Sequence, residues 1–151
     1  KLVSGWPWKM VSRSQRCLVV TDGFFEPEKP AGDKSVVPWS YYAMGNRQLF
    51  AMAGLYNTGP HPKTGEDQLS YTVVTTGAND VIVKHNRMPA ILEDEAILRW
   101  LRPGSVPVDD LGPYPGGRMT GFRVMDEARN SRIPDHAGMI EPIARQAGLF
   151  D

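Results

Sequence analysis

A short run of β-forming residues, 17–20, is the feature that most constrains the fold of this chain. The run is long enough for a buried strand and too short for a helix. Asp22 and Gly23 follow it with turn chemistry, because glycine accepts a positive φ and aspartate hydrogen-bonds its own backbone. We therefore predict a first strand over residues 16–20 and a second over residues 23–26.

The rest of the chain favours strands over helices. With 15 glycines and 13 prolines we expect many turns and few long helices. Residues 69–76 are the strongest strand candidate, and residues 39–44 and 49–56 resemble a hairpin closed by a turn at 45–47. Three acids at 93–95, an apolar stretch and then Pro103 predict one helix. The pattern predicts an α+β fold that is mostly β and barrel-like, with one or two covering helices.

Composition limits the classes of function. A length of 151 residues with 41% hydrophobic residues suits one domain with a real core. Lys+Arg and Asp+Glu are both 17, so binding to nucleic acid requires a local basic patch. No apolar run approaches the roughly 20 residues of a membrane helix. The chain opens on Lys1 without a methionine, and we expect that residues 1–151 lack an amino-terminal part of the domain.

Two titratable residues are the candidates for proton transfer. Glu26 follows two phenylalanines, which favours desolvation of its carboxyl group and a role in acid–base chemistry. The alternative is an exposed glutamate of ordinary acidity at the end of a strand. His85 follows a strand and precedes Arg87 and a proline, and an imidazole there can move protons or polarise a carbonyl. Its alternative is an exposed turn.

Phosphate binding has two further candidates. Arg87 offers a fixed guanidinium and points the same way as His85 if the backbone stays extended. Thr75 ends the strongest strand candidate and offers hydroxyl and amide donors, although β-propensity explains it equally well. Trp39 and Trp100 are expected, with Trp6 and Trp8, to line the core or a groove where an exposed ring could stack on a base.

Other chemistries have little support. A single cysteine, Cys17, excludes an internal disulfide and a cysteine-based zinc site and fits a reducing cytosolic setting. Its position in an apolar run predicts a buried, inert thiol rather than a nucleophile. His61 and His136 have no ligand-like spacing, so we expect no metal, and without a glycine-rich phosphate loop we expect no cofactor.

Four blocks, taken in order, resemble the SRAP (SOS response-associated peptidase) family. They read RCLVVTDGFFE (16–26), FAMAGLY (50–56), YTVVTTGAN (71–79) and HNRMPAIL (85–92), and residues 140–143 (IEPI) also fit. The resemblance implies one mostly β domain over residues 1–151 with a groove for single-stranded DNA. It also implies capture of abasic sites, in which an amino-terminal cysteine and the ring-opened sugar form a thiazolidine crosslink. Lyase and self-processing peptidase activities are attributed to the family as well.

The resemblance assigns roles to individual residues and shows two departures. Glu26 and His85 match the family's catalytic glutamate and histidine, and Thr75 and Arg87 match positions that hold the DNA backbone. The family's amino-terminal cysteine is absent from residues 1–151, so this chain alone is expected to be inactive in crosslinking. Pro27 stands where a tryptophan usually follows the glutamate, which alters a base-stacking wall.

Three hypotheses remain at this point. The first is an abasic-site processing protein that lacks its amino-terminal part, with single-stranded or abasic-site DNA as partner. The second is a noncatalytic DNA-binding module, such as a phage-encoded one, and the third is a self-processing peptidase. For all three we expect a cytoplasmic protein, associated with the bacterial nucleoid if the resemblance holds, and no membrane.

Overall fold

The computed structural model describes Gly5 and residues 8–28, 37–130 and 132–143. Helices in these ranges are α1 (Trp8–Ser14) and α2 (Asp94–Leu101). The strands are β1 (Arg16–Thr21), β2 (Gly23–Pro27), β3 (Trp39–Met44), β4 (Phe50–Pro60), β5 (Asp67–Val73), β6 (Thr75–Gly77), β7 (Arg87–Pro89), β8 (Ile91–Leu92) and β9 (Met119–Val124). Short 3₁₀ helices span Val108–Asp110, Gly116–Arg118, Asp126–Arg129 and Ala137–Ile140.

The described strands form three antiparallel sheets. The first sheet has the order β1-β4-β5, with β8 also paired to β4. The second has the order β2-β3-β9, and the third consists of β6 and β7. The prediction of a mostly β, α+β fold with covering helices is confirmed. Helix α2, which begins among the predicted acids, is the helix expected from the sequence.

The predicted hairpin between residues 39–44 and 49–56 is wrong. Both strands exist, but β3 pairs with β2 and β9, whereas β4 pairs with β1 and β5. Arg47, in the connection, adopts a left-handed φ of 59°, and the chain passes there from the second sheet to the first. Alternation along a strand identifies its two faces but does not identify the neighbouring strand.

The strongest predicted strand, residues 69–76, is divided between two sheets. Strand β5 ends at Val73 and β6 begins at Thr75. Between them the Val74 amide donates to the Ala53 carbonyl at 2.8 Å, and the Val74 carbonyl accepts from the Ala90 amide at 2.8 Å. The chain therefore leaves the first sheet at Val74, and this change of sheet places Thr75 beside β7.

Apolar clusters join these layers. One lies between the first sheet and α2 and centres on Trp100, whose indole nitrogen donates to the Cys17 carbonyl at 2.9 Å. The other two cover opposite faces of the second sheet, one around Tyr42 and one around Tyr41. Neither α1 nor α2 is long and apolar enough to cross a membrane, and the described residues contain no other α-helix.

Candidate nucleic-acid interface

One face of the second sheet carries Glu26, and we call it the Glu26 face. Side chains alternate between the two faces of a strand, so the register of β2, β3 and β9 defines which residues share it. One row of residues, close to the ends of the strands, crosses the sheet through Glu26, Ser40 and Arg123. The adjacent row contains Phe24, Tyr42 and Gly121.

Part of the segment that carries His85, residues 78–86, packs over this second row through Ala78, Val81 and Ile82. A Cβ on Gly121 would lie 2.5 Å from the Tyr42 ring and 3.4 Å from a methyl carbon of Val81, so both side chains sit against the glycine. Ile82 is fully buried in the cluster that contains Tyr42. The Glu26 carboxylate and the His85 segment therefore approach the same side of the second sheet. No hydrogen bond or ion pair joins their side chains in the part of the chain that the structure describes.

The His85 segment is a turn held by Asn79, so the expectation that His85 directly follows a strand is wrong. The Asn79 side-chain oxygen accepts hydrogen bonds from the Val81 and Ile82 amides at 3.1 and 3.2 Å. Its amide nitrogen donates to the Tyr114 carbonyl at 2.7 Å. An asparagine side chain that bonds its own backbone two residues on competes with strand pairing, which explains the turn.

His85 is half-buried, and one of its ring nitrogens has an unusual environment. The Nε2 atom is shielded from solvent and has no hydrogen-bond partner among the described residues. Buried polar atoms in folded proteins are nearly always paired, so this unpaired ring nitrogen is an exception among the described residues.

Glu26 is half-buried and lies beside a polar network that the sequence did not indicate. Ser40, which is 5% exposed, donates its hydroxyl to the Glu28 carboxylate at 2.8 Å. Burial raises the pKa of the Tyr42 phenol, a hydrogen bond with Ser40 opposes the increase, and the Glu28 and Glu26 carboxylates add to it. Glu28 was missed, although it lies two residues beyond Glu26, the spacing that returns a side chain to the same side of an extended chain.

Thr75 and Arg87 are in direct contact. The Arg87 Nε donates to the Thr75 hydroxyl at 2.9 Å, and Nη2 donates to the Thr75 carbonyl at 3.0 Å and to the same hydroxyl. Both residues are exposed, on the adjacent strands β6 and β7. Strand β7 begins only at Arg87, so the extended backbone needed to align His85 with it is not present. The roles of these residues in DNA binding remain predictions.

The remaining candidates lie away from this site or have local partners. Cys17 is half-buried in β1, and burial raises the pKa of its thiol, which lowers the fraction of reactive thiolate. His61 accepts hydrogen bonds from the backbone of its own loop, and His136 lies 3.7 Å from Glu127. No group of three metal-ligating side chains occurs among the described residues. Trp6 lies outside them.

Comparisons with a family model and with curated proteins point to one family. A family model described as SOS response associated peptidase (SRAP) matches residues 2–131. The abasic site processing protein HMCES of Gallus gallus is 36% identical over an alignment of 114 positions, which covers 63% of this chain and 33% of that protein. The abasic site processing protein YoqW of Bacillus subtilis is 34% identical over an alignment of 116 positions, which covers 74% of this chain and 50% of that protein. This chain spans half or less of the length of both curated relatives.

Solved structures share the fold. A protein of Bacteroides thetaiotaomicron superposes with a TM-score of 0.79 at 21% identity, covering 95% of this chain and 63% of that one. A protein of Bordetella bronchiseptica superposes with a TM-score of 0.67 at 26% identity, covering 82% of this chain and 62% of that one. Because the family model matches most of its length, the chain belongs to the SOS response associated peptidase (SRAP) family.

Proposed function

We propose that residues 1–151 form the part of an abasic-site processing protein that binds single-stranded DNA and opens the sugar of an abasic site. The observation that carries the proposal is that Glu26 and the segment bearing His85 approach one side of the second sheet. Family membership supports the substrate, since the relatives compared above are named abasic site processing proteins.

The chemistry requires a proton acceptor and a proton donor at one sugar. An abasic sugar is mostly a closed hemiacetal, which has no free aldehyde. Opening it breaks the bond between C1′ and the ring oxygen, removes the proton of the C1′ hydroxyl and delivers a proton to the ring oxygen. Glu26 and His85 supply these two functions, one as base and one as acid. The products are a C1′ aldehyde and a free C4′ hydroxyl.

The aldehyde then reacts with a thiol and an amine. The family resemblance implies that both groups belong to an amino-terminal cysteine, which forms a thiazolidine with loss of water. Residues 1–151 contain Cys17 as their only cysteine, in the interior of β1. In this proposal the 151-residue chain binds and opens the sugar, and Cys17 does not form the adduct.

Arg87 holds the DNA backbone in this proposal. Thr75 engages Nε and Nη2 of the guanidinium, and Nη1 makes no hydrogen bond within the described part of the chain. An arginine whose orientation is already fixed loses less conformational entropy when it binds a phosphate. The charge–phosphate contact also releases counterions from the DNA, which makes binding depend on salt.

Replacement of Arg87 by alanine is expected to weaken binding of single-stranded DNA about tenfold at low salt, the loss of one charge-assisted phosphate contact. The slope of log affinity against log salt concentration should become shallower by about 0.7–1. Fluorescence anisotropy with a labelled oligonucleotide across a salt series measures both quantities. Thr75→Ala should cause a smaller loss of affinity with an unchanged slope, because the charge remains.

Arg13→Ala is the matched control for this experiment. Arg13 is exposed in α1, which packs on β1 and β4 rather than on the third sheet, and its replacement removes the same charge. Equal effects of the Arg13 and Arg87 replacements would show that DNA affinity depends only on the total charge of the chain. Such a result would contradict the assignment of Arg87 to the DNA backbone.

A further inference from the structure

We propose that Arg123 binds a second phosphate of the same DNA strand, adjacent to the sugar that lies at Glu26. The inference rests on the proposed function and extends its binding site to a residue of β9. Glu26, Ser40 and Arg123 occupy one row of the Glu26 face, on three neighbouring strands. Strands in a sheet are about 4.8 Å apart, so the backbones of Glu26 and Arg123 are separated by about 10 Å. A DNA strand that presents its sugar to Glu26 brings a neighbouring phosphate within reach of the arginine.

The Arg123 guanidinium has no direct partner among the described residues. Its side chain is exposed and makes no ion pair or hydrogen bond there. Glu28, the second carboxylate near this row, accepts a hydrogen bond from Ser40. Arg99 pairs with Asp110 and Arg118 with Glu93, whereas Arg123, like Arg13, is exposed without a side-chain partner in the described part of the chain. Glu26 and Glu28 make this part of the Glu26 face acidic, and the exposed guanidinium of Arg123 is the group of the row that offsets their charge for an approaching phosphate.

The backbone of Arg123 is fixed on both sides. It pairs with Ser40 of β3, and its carbonyl accepts a hydrogen bond from the Ile143 amide at 3.1 Å. A guanidinium projecting from a fixed strand binds a phosphate at a lower entropic cost than one on a loop. Local sequence does not indicate this role, because Arg123 and Glu26 lie 97 residues apart and come together only through the register of β2, β3 and β9.

The test compares DNA binding by Arg123→Ala, Arg123→Lys, Arg87→Ala and Arg13→Ala with binding by the unchanged chain. The probes are two single-stranded oligonucleotides, one with all its bases and one with a tetrahydrofuran abasic analogue. Arg123→Ala should weaken binding of both probes about tenfold and make the salt slope shallower by about 0.7–1. Arg123→Lys should restore the slope and part of the affinity, since lysine keeps the charge without the planar fork.

The outcomes separate this inference from the proposed function. If the unchanged chain binds DNA and Arg87→Ala weakens it, but Arg123→Ala behaves like Arg13→Ala, the Arg123 contact is wrong and the proposed function stands. Absence of any DNA binding by the unchanged chain overturns both.

A second measurement asks whether Arg123 acts through Glu26. In a Glu26→Gln background, a phosphate contact predicts the same loss on replacing Arg123, because the two effects are independent. Disappearance of the loss in that background would show that Arg123 acts only by pairing with Glu26, and would overturn the inference. Urea unfolding checks that the fold of Arg123→Ala is intact. The midpoint of the variant is expected to equal that of the unchanged chain.

Discussion

Replacement of Arg16 by methionine is expected to lower the free energy of unfolding by about 2–4 kcal/mol. Arg16 is 7% exposed and donates hydrogen bonds to the carbonyls of four residues: Ser12, at 2.5 Å, Gly104, at 3.2 Å, and Trp100 and Arg102. These carbonyls lie at the end of α2, just beyond it and in α1. Methionine fills a similar volume but removes these hydrogen bonds, and a buried carbonyl that loses its partner costs about 1–3 kcal/mol where water cannot replace the bond.

The position of Arg16 adds a second effect. Its guanidinium lies 5.5 Å from the centre of the Trp100 ring and close to the carboxyl end of α2, where positive charge is favourable. Arg16→Lys should therefore be less destabilising than Arg16→Met, because it keeps the charge and part of the bonding.

Urea unfolding followed by circular dichroism measures the change, as a lower midpoint with an unchanged slope. Arg13→Met is the control, since Arg13 is exposed on the adjacent helix, and its effect should stay within about 0.5 kcal/mol. Equal midpoints for Arg16→Met and Arg13→Met would show that the guanidinium does not join α1, β1 and the end of α2.

Glu26→Gln is expected to reduce catalysed opening of the abasic sugar by about 10²–10⁴-fold, the usual contribution of general acid–base catalysis. Glutamine keeps the shape of the side chain and its place opposite Ser40, but it can neither take nor deliver the proton. His85→Gln should cause a loss of similar size. Combining the two should add little, because residues that act as a unit on one step are not additive.

The 151-residue chain suits this measurement because it needs no crosslinking cysteine. An added alkoxyamine traps the open aldehyde as an oxime, and at high alkoxyamine concentration the rate of trapping reports the rate of ring opening. The unchanged chain should accelerate trapping on single-stranded abasic DNA, and Arg13→Ala should do so equally. If Glu26→Gln accelerated trapping as well as the unchanged chain, Glu26 would have no part in proton transfer.

Local pattern predicted the individual elements well. The apolar run at 17–20 gives β1, the Asp22-Gly23 turn precedes β2, and the acids at 93–95 mark the start of α2. These signals depend on residues adjacent in sequence, and backbone preference and side-chain alternation determine them.

The pairing of strands could not be predicted in the same way. Residues 39–44 and 49–56 have the appearance of a hairpin, yet β3 and β4 belong to different sheets. The division of residues 69–76 at Val74 depends on hydrogen bonds to Ala53 and Ala90, which no local pattern contains. Packing between distant segments decides both outcomes.

The candidate site shows the same limit. Local pattern made Glu26, His85, Thr75 and Arg87 candidates and the family resemblance assigned their roles, but among the described residues only Thr75 and Arg87 are in direct contact. The Ser40 hydrogen bond to Glu28 and the row that contains Arg123 depend on the register of the second sheet. Sequence alone does not fix that register.

A crystal structure of the chain bound to single-stranded DNA with a tetrahydrofuran abasic analogue tests the central claim most directly. We predict that the analogue sugar lies on the Glu26 face, with the Glu26 carboxylate and a His85 ring nitrogen both within about 3.5 Å of it, directly or through one water. A sugar bound elsewhere would contradict the account, for example in the groove between β1 and the amino end of α2 that Leu18 and Glu93 line. So would a bound sugar that touches only one of the two residues.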